Sequence, residues 1–130
     1  MLRKLEMSIL YVAIGSAVGG VCRYGVSQML GRTFAGVFPY GTFAVNVIGC
    51  LIIGLLFGLI DRGINMSAEM RLLLITGFCG GFTTFSTFAH ENYLLFGNEK
   101  GILIVCLYAA LSFFIGLLMV YAGHKLSGLL

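Results

Sequence analysis

The sequence VFPYGTFAVNVIGCLIIGLLFGLI, residues 37–60, runs for 24 positions without a charged side chain. An α-helix rises about 1.5 Å per residue, so about 20 apolar residues cross the hydrocarbon core of a bilayer. Residues 9–30 form a similar stretch with a single charge, and residues 72–89 and 102–122 are further stretches with none. The sequence therefore predicts an all-α membrane protein that forms a single domain over residues 1–130. The predicted transmembrane helices cover about residues 7–30, 38–60, 69–96 and 101–125.

The composition excludes several functional classes. Globular domains carry about 25% charged residues, whereas this 130-residue chain is 10% charged and 59% hydrophobic, with a mean hydropathy of +1.02. A soluble chain of this length would have too little polar surface to cover its core. This excludes an ordinary soluble enzyme and a disordered protein. The net charge is only +3 and the basic residues form no stripe, so we expect a lipid bilayer as the environment and no nucleic-acid partner.

The two ends of the spans differ only modestly in basic charge. Arg3 and Lys4 precede an apolar run that continues to Leu30, which indicates an uncleaved first helix rather than a signal peptide. With the N-terminus, the second loop and the C-terminus on one side, that side holds Arg3, Lys4, Arg62, Arg71 and Lys125. The other side holds Arg32 and Lys100, and Arg23 if its side chain snorkels. Lys and Arg asymmetry sets topology, so a bias this weak permits insertion in both orientations.

The four cysteines carry no recognisable metal or disulfide spacing. One lies in each predicted helix, at Cys22, Cys50, Cys79 and Cys106. Free cysteine is commonly buried as a small apolar residue. We therefore expect these cysteines to act as packing residues.

The sequence GFCGGFTTFSTF, residues 77–88, lies in the middle of the third predicted span. Three glycines and four hydroxyl residues in twelve positions make a poor uniform helix. We therefore predict a break near Gly80–Thr84. Non-helical backbone at this depth must be buried in protein or line a cavity. Its carbonyl groups suit a hard cation, and its N–H groups suit an anion.

Two phenylalanines follow the predicted break. Phe85 and Phe88 are three residues apart, so they share a helix face. An aromatic ring has a positive edge, and edge-on phenyl rings can therefore line an anion path. Core packing is the alternative, but the surrounding hydroxyl groups favour the anion path.

Polar residues also mark the other spans. In the second span, Thr42 and Asn46 belong to a ribbon at steps of four that continues through small residues. The Asn46 amide offers two N–H donors, which either join helices or line a wet path. Tyr108 and Ser112 form a similar series in the fourth span. Arg23 in the first span either faces a partner or water, or snorkels to the interface.

Three motifs together resemble the Fluc family of fluoride channels: GGVCRY at residues 19–24, GTFAVNVIG at residues 41–49, and GFCGGFTTFSTF at residues 77–88. They occur in the family's order, and the resemblance covers essentially the whole chain. It implies a passive, fluoride-selective channel of the bacterial inner membrane that exports fluoride and relieves its toxicity. It also implies an antiparallel, dual-topology homodimer with two pores and a structural sodium ion on the dimer axis.

The resemblance also implies roles for individual residues. Phe85, Phe88 and Asn46 would line the fluoride pore, and Gly80 and Thr83 would present backbone carbonyls to the sodium ion. The further polar positions of the fluoride path would be Thr42, Tyr108, Ser112, Ser86, Thr87, Arg23 and Glu91. This chain has Gly116 where family members often place another serine.

Two other functions fit a small four-helix membrane protein. A small multidrug exporter is often an antiparallel dimer of similar length, but proton coupling needs an embedded carboxylate. The first predicted span has none after Glu6, and Glu91 lies beyond the third motif. A non-catalytic assembly subunit would fit the glycine-rich helices, but it would leave the broken, hydroxyl-rich third span unexplained.

Overall fold

The computed structural model describes residues 1–34, 36–97 and 99–130. All regular structure in these ranges is helical, and four helices are long and apolar enough to cross a membrane. The first span is Leu2–Thr33, the second is Tyr40–Asp61, the third runs over Ala68–Leu95 with an interruption, and the fourth is Gly101–Leu126. A single 3₁₀ turn, Ser127–Leu129, follows the fourth span. The prediction of an all-α, four-span membrane protein is confirmed.

The third span is built from segments of different helical geometry. It starts as an α-helix at Ala68–Arg71, widens to a π-helix over Leu72–Cys79, and returns to α-helical geometry at Gly80–Phe82. Thr83 and Thr84 are then extended, with ψ of 159° and 119°, before an α-helix resumes at Phe85–Leu95. The predicted break is confirmed and is confined to these two threonines. The π-helical segment was not predicted, because no residue pattern distinguishes it from an ordinary apolar helix.

Local sequence explains where the second and third spans start. Pro39 lies directly before Tyr40 at the start of the second span, where its missing N–H leaves no helical hydrogen bond unmade. The side chain of Ser67 accepts a hydrogen bond from the N–H of Met70 at 3.2 Å and caps the third span. Gly63, with φ of +88°, makes the turn between the second and third spans.

Glycines allow two pairs of spans to pack backbone against backbone. The first span packs on the third, where a methyl group at Gly15 or Gly19 would collide with a backbone carbonyl. The second span packs on the fourth, where a methyl group at Gly54 or Gly123 would do the same. Association in lipid depends on such close packing because the hydrocarbon supplies no hydrophobic drive. Gly15 and Gly19 therefore allow the first span to pack closely on the third, whereas Gly20 has no described atom of another element within reach of a methyl group.

The outer surface is largely apolar, as expected of a protein that contacts lipid. Large side chains such as Phe114, Leu118 and Ile102 are exposed. Among the cysteines, Cys79 is buried inside the protomer and Cys50 is half-buried, but Cys22 and Cys106 are exposed. The predicted packing role therefore does not hold for Cys22 and Cys106 within the protomer, because both side chains face outward from their helices.

Replacing Gly19 with alanine is expected to destabilise the protein, because the added methyl group would collide with the carbonyl of Phe78. Overpacking of this kind costs about 1–3 kcal/mol of unfolding free energy. The matched control is Gly20→Ala, since a methyl group there meets no atom of the described residues within 4 Å. Thermal unfolding in detergent measures both variants. Equal loss of stability in the two variants would contradict the packing role of Gly19.

Candidate functional site

A cavity of about 680 Å³ lies where the break in the third span faces the second and fourth spans. Its lining combines backbone and side chains of the break with an amide, two further hydroxyl residues and three phenylalanines. The structure thus brings together six of the residues singled out from the sequence: Asn46, Gly80, Thr83, Phe85, Phe88 and Ser112.

Asn46 contacts the backbone of the break through both ends of its carboxamide. Its Nδ2 donates to the carbonyl of Thr84 at 3.0 Å, and its Oδ1 accepts from the N–H of Thr84 at 2.8 Å. Of the two roles that the sequence left open for Asn46, the joining of helices is therefore observed. Asn46 borders the cavity and also links the second span to the third.

Thr84 is a site residue that the sequence analysis did not single out. It is 8% exposed, and its Oγ1 accepts from the N–H of Thr87 at 3.2 Å. The same oxygen lies 3.1 Å from Thr87 Oγ1 and 3.3 Å from Ser86 Oγ. Thr84 is therefore the N-cap of the half-helix Phe85–Leu95. The preference of threonine for N-caps is the signal that identifies this role from sequence.

The carbonyl groups of Gly80 and Thr83 are among those that the break leaves without helical partners. In a continuous α-helix, the N–H of Thr84 bonds the carbonyl of Gly80, and the N–H of Thr87 bonds that of Thr83. Here those N–H groups donate to Asn46 Oδ1 and to Thr84 Oγ1 instead. The carbonyls of Gly80 and Thr83 are therefore available as hard oxygen ligands for a cation. No group of three or more His, Cys, Asp or Glu residues in the described ranges forms a metal site.

Phe85 and Phe88 lie side by side at the cavity. Their ring centroids are 5.8 Å apart with an interplanar angle of 39°. Phe85 is 80% exposed, whereas Phe88 is half-buried and meets Tyr108 in an edge arrangement at 4.9 Å. The prediction that the two rings share a helix face is confirmed, and the exposure of Phe85 shows that it does not pack in the core of the protomer.

Ser112 supplies an unsatisfied hydroxyl group to the cavity. Its Oγ is buried and has no hydrogen-bond partner among the described residues. A buried polar group without a partner is unfavourable unless water or a ligand satisfies it. One turn further along the fourth span, Gly116 faces Cys50 Sγ, so that turn offers no hydroxyl group.

Thr42, Glu91 and Tyr108 form a second polar cluster near one end of the spans. Thr42 Oγ1 donates to Glu91 Oε1 at 2.6 Å, and Tyr108 Oη donates to Glu91 Oε2 at 2.8 Å. Thr42 and Tyr108 are buried, and Glu91 is half-buried. This cluster joins the second, third and fourth spans through one carboxylate. The sequence did not predict this network, because the residues around Glu91 do not indicate which distant side chains donate to it.

The remaining predicted polar residues lie outside the cavity. Ser86 and Thr87 are exposed on the first turn of the half-helix Phe85–Leu95, beside Thr84. Arg23 lies on the first span, half-buried, and does not line the cavity. The structure therefore brings Ser86 and Thr87 to the rim of the break but does not bring Arg23 to the cavity of its own protomer.

Comparison with known proteins gives consistent matches along the chain. The family described as "CrcB-like protein, Camphor Resistance (CrcB)" matches residues 10–124. A Flavobacterium psychrophilum protein named "Fluoride-specific ion channel FluC" is 42% identical over 116 residues, 89% of this chain and 93% of that protein. A Rhizobium etli protein of the same name is 48% identical over 115 residues, 88% of this chain and 90% of that protein. One from Maridesulfovibrio salexigens is 54% identical over 83 residues, 64% and 66% of the two chains.

Replacing Tyr108 with phenylalanine is expected to destabilise the protein because Glu91 loses one of its two donors. Because Glu91 is half-buried, we expect the loss of this donor to cost about 1 kcal/mol of unfolding free energy, the low end of the cost of an acceptor left without its partner. The matched control is Tyr93→Phe, since Tyr93 is 74% exposed. Unfolding with sodium dodecyl sulfate measures both variants. A Tyr108→Phe protein as stable as the Tyr93→Phe protein would show that the cluster does not hold the spans together.

Proposed function

The chain belongs to the CrcB-like family, and on this premise we propose that it is a fluoride-selective passive channel that exports fluoride across the bacterial inner membrane. The observation that carries the proposal is the cavity at the helix break, which presents hydrogen-bond donors and phenyl rings together. Two relatives that are named as fluoride-specific ion channels match this chain over 93% and 90% of their own length. Transport of this kind is passive, so the site needs no group that couples it to an energy source.

The donors of the cavity fit a small, strongly hydrated anion. Fluoride loses hydration on entering a narrow path, and many hydrogen-bond donors must offset that loss. Ser112 offers a buried hydroxyl group without a protein partner. The half-helix Phe85–Leu95 begins at the cavity. The first N–H groups of a helix have no helical acceptor, and the positive end of the helix dipole lies at this terminus. Phe85 and Phe88 add the positive edges of their rings.

The charge of the cavity fits passage rather than tight binding. Its lining residues include no Lys, Arg, Asp or Glu side chain. Conduction requires an anion to bind well enough to enter and weakly enough to leave. Neutral donors meet both conditions, because a cationic cluster would hold the anion and a carboxylate at the cavity would repel it.

We propose that a second copy of the chain packs against the polar face at the middle of the third span. Gly80, Ser86 and Thr87 are exposed in the protomer, at the depth where lipid would otherwise contact them. Polar groups facing hydrocarbon are unfavourable, so this face requires a protein or aqueous neighbour. The weak Lys and Arg asymmetry between the two sides supports insertion in both orientations. We therefore propose an antiparallel homodimer with two fluoride pores.

The dimer is also proposed to hold a structural sodium ion on its axis. The carbonyls of Gly80 and Thr83 fit this role, because their helical N–H partners are engaged elsewhere. Two copies would together supply four such oxygens. The bound ion would supply a fixed positive charge that raises the local potential for the anion.

Fluoride release from liposomes tests the function. We expect the purified protein to release fluoride but not chloride, as read with ion-selective electrodes. The variants Phe85→Ile and Phe88→Ile should each slow fluoride release, because both remove an aromatic edge from the cavity. The matched control is Phe57→Ile, since Phe57 is exposed on the second span and lies away from the cavity.

The outcomes separate the channel from its alternatives. Release of fluoride that is lost in the two cavity variants and kept in Phe57→Ile would support a path past the phenyl rings. A folded dimeric protein that releases no fluoride would overturn the proposed function. Equal release of chloride and fluoride would overturn the selectivity.

A further inference from the structure

We propose that Asn46 is the positioning residue of the helix break, and that its carboxamide replaces the neighbouring strand that the extended Thr84 lacks. Through this pairing, Asn46 frees the carbonyl of Gly80 for a cation and fixes the start of the half-helix Phe85–Leu95 at the cavity. The role in cation binding rests on the proposed function, but the pairing itself does not.

The backbone of Thr84 requires a partner that the third span cannot supply. Thr84 has φ of −150° and ψ of 119°, so its N–H and C=O groups point to the same side, as in a β-strand. Thr84 is 8% exposed, and an unpaired backbone group buried in a membrane protein costs several kcal/mol. A carboxamide carries a donor and an acceptor side by side and therefore matches this pair of groups.

The two hydrogen bonds of Asn46 have the lengths of a strand pairing. They measure 2.8 Å for Thr84 N–H to Oδ1 and 3.0 Å for Nδ2 to the Thr84 carbonyl. Both lie within the ordinary range of N–H to oxygen hydrogen bonds. Leucine, which is of similar size, presents neither group, and an ionised aspartate presents acceptors only.

This pairing has a consequence four residues earlier in the chain. Because the N–H of Thr84 is directed to Asn46, it cannot close the helical hydrogen bond to the carbonyl of Gly80. Thr84 Oγ1 acts in the same way on the N–H of Thr87 and frees the carbonyl of Thr83. Asn46 thus frees the carbonyl of Gly80, and Thr84 frees that of Thr83. Asn46 also holds Thr84 in the position from which its Oγ1 accepts the N–H of Thr87.

The pairing also limits what Asn46 offers to an anion. The amide nitrogen has two N–H groups, and one of them is committed to the Thr84 carbonyl. At most one N–H remains for an anion in the cavity. The side chain therefore couples the two sites, since it borders the cavity and controls the carbonyl of Gly80 at the same time.

Amide hydrogen exchange at Thr84 tests the pairing directly. The full-length protein in lipid nanodiscs is compared with Asn46→Leu, Asn46→Asp and Ser112→Ala, using mass spectrometry that resolves single residues. We expect about tenfold faster exchange of the Thr84 amide in Asn46→Leu, because its acceptor is lost. Asn46→Asp keeps an acceptor oxygen and should keep the protection. Ser112→Ala is the matched control, because it removes from the cavity a hydroxyl group that makes no hydrogen bond to Thr84.

Stabilisation by sodium tests the consequence for the carbonyls. The melting temperature of each purified protein is measured in sodium chloride and in N-methylglucamine chloride of equal concentration. We expect sodium to raise the melting temperature of the unmodified protein and of Ser112→Ala, and to raise that of Asn46→Leu much less. Neither measurement requires fluoride transport, so a protein that fails to transport fluoride would disprove the proposed function without deciding the role of Asn46.

Four results would overturn the proposal. Unchanged Thr84 exchange in Asn46→Leu would show that the pairing does not hold the break. Loss of protection in Asn46→Asp would show that the acceptor oxygen is not what protects the amide, and this variant decides the question if Asn46→Leu does not fold. Exchange that rises equally along the whole third span would indicate general destabilisation instead of positioning. An unmodified protein that sodium does not stabilise would overturn the role in cation binding.

Discussion

Backbone hydrogen bonding without water is the constraint on which the rest of this structure depends. A membrane-spanning helix satisfies its own N–H and C=O groups, so any interruption must find partners in the surrounding protein. The interruption at Thr83 and Thr84 does so through two side chains, Asn46 from the second span and Thr84 itself. Because these side chains accept N–H groups and leave carbonyls free, the break exposes oxygen ligands on one side and begins a new helix on the other.

Close helix packing makes this arrangement possible. Gly15 and Gly19 bring the first span against the third, and Gly54 and Gly123 bring the second against the fourth. These two backbone-tight pairs leave a cavity of about 680 Å³ between the break and the second and fourth spans. The approach of the second span to the break depends on Gly49, where a methyl group would collide with the side chain of Thr83.

The polar residues form two separate clusters, although the spacing of four residues in the second span placed members of both on one helix face. Thr42 and Asn46 lie on one helix face at a step of four, but that step moves about 6 Å along the helix axis. Asn46 therefore meets the break, whereas Thr42 meets Glu91 near the end of the spans. The edge contact between Phe88 and Tyr108 joins the two clusters. A periodic pattern predicts which face a residue occupies, but not which partner lies at its depth.

The sequence by itself determined the four spans, because charge-free stretches of sufficient length have no other favourable environment. It also determined the position of the break, since glycine and hydroxyl residues disfavour a uniform helix, and the face shared by Phe85 and Phe88. Only the tertiary structure decided the partners: the pairing of Asn46 with Thr84, the two donors of Glu91, and the buried hydroxyl group of Ser112. Thr84 and Asn46 are 38 residues apart in the chain. Contacts over such separations depend on how the helices pack, so the local propensities of the residues do not predict them.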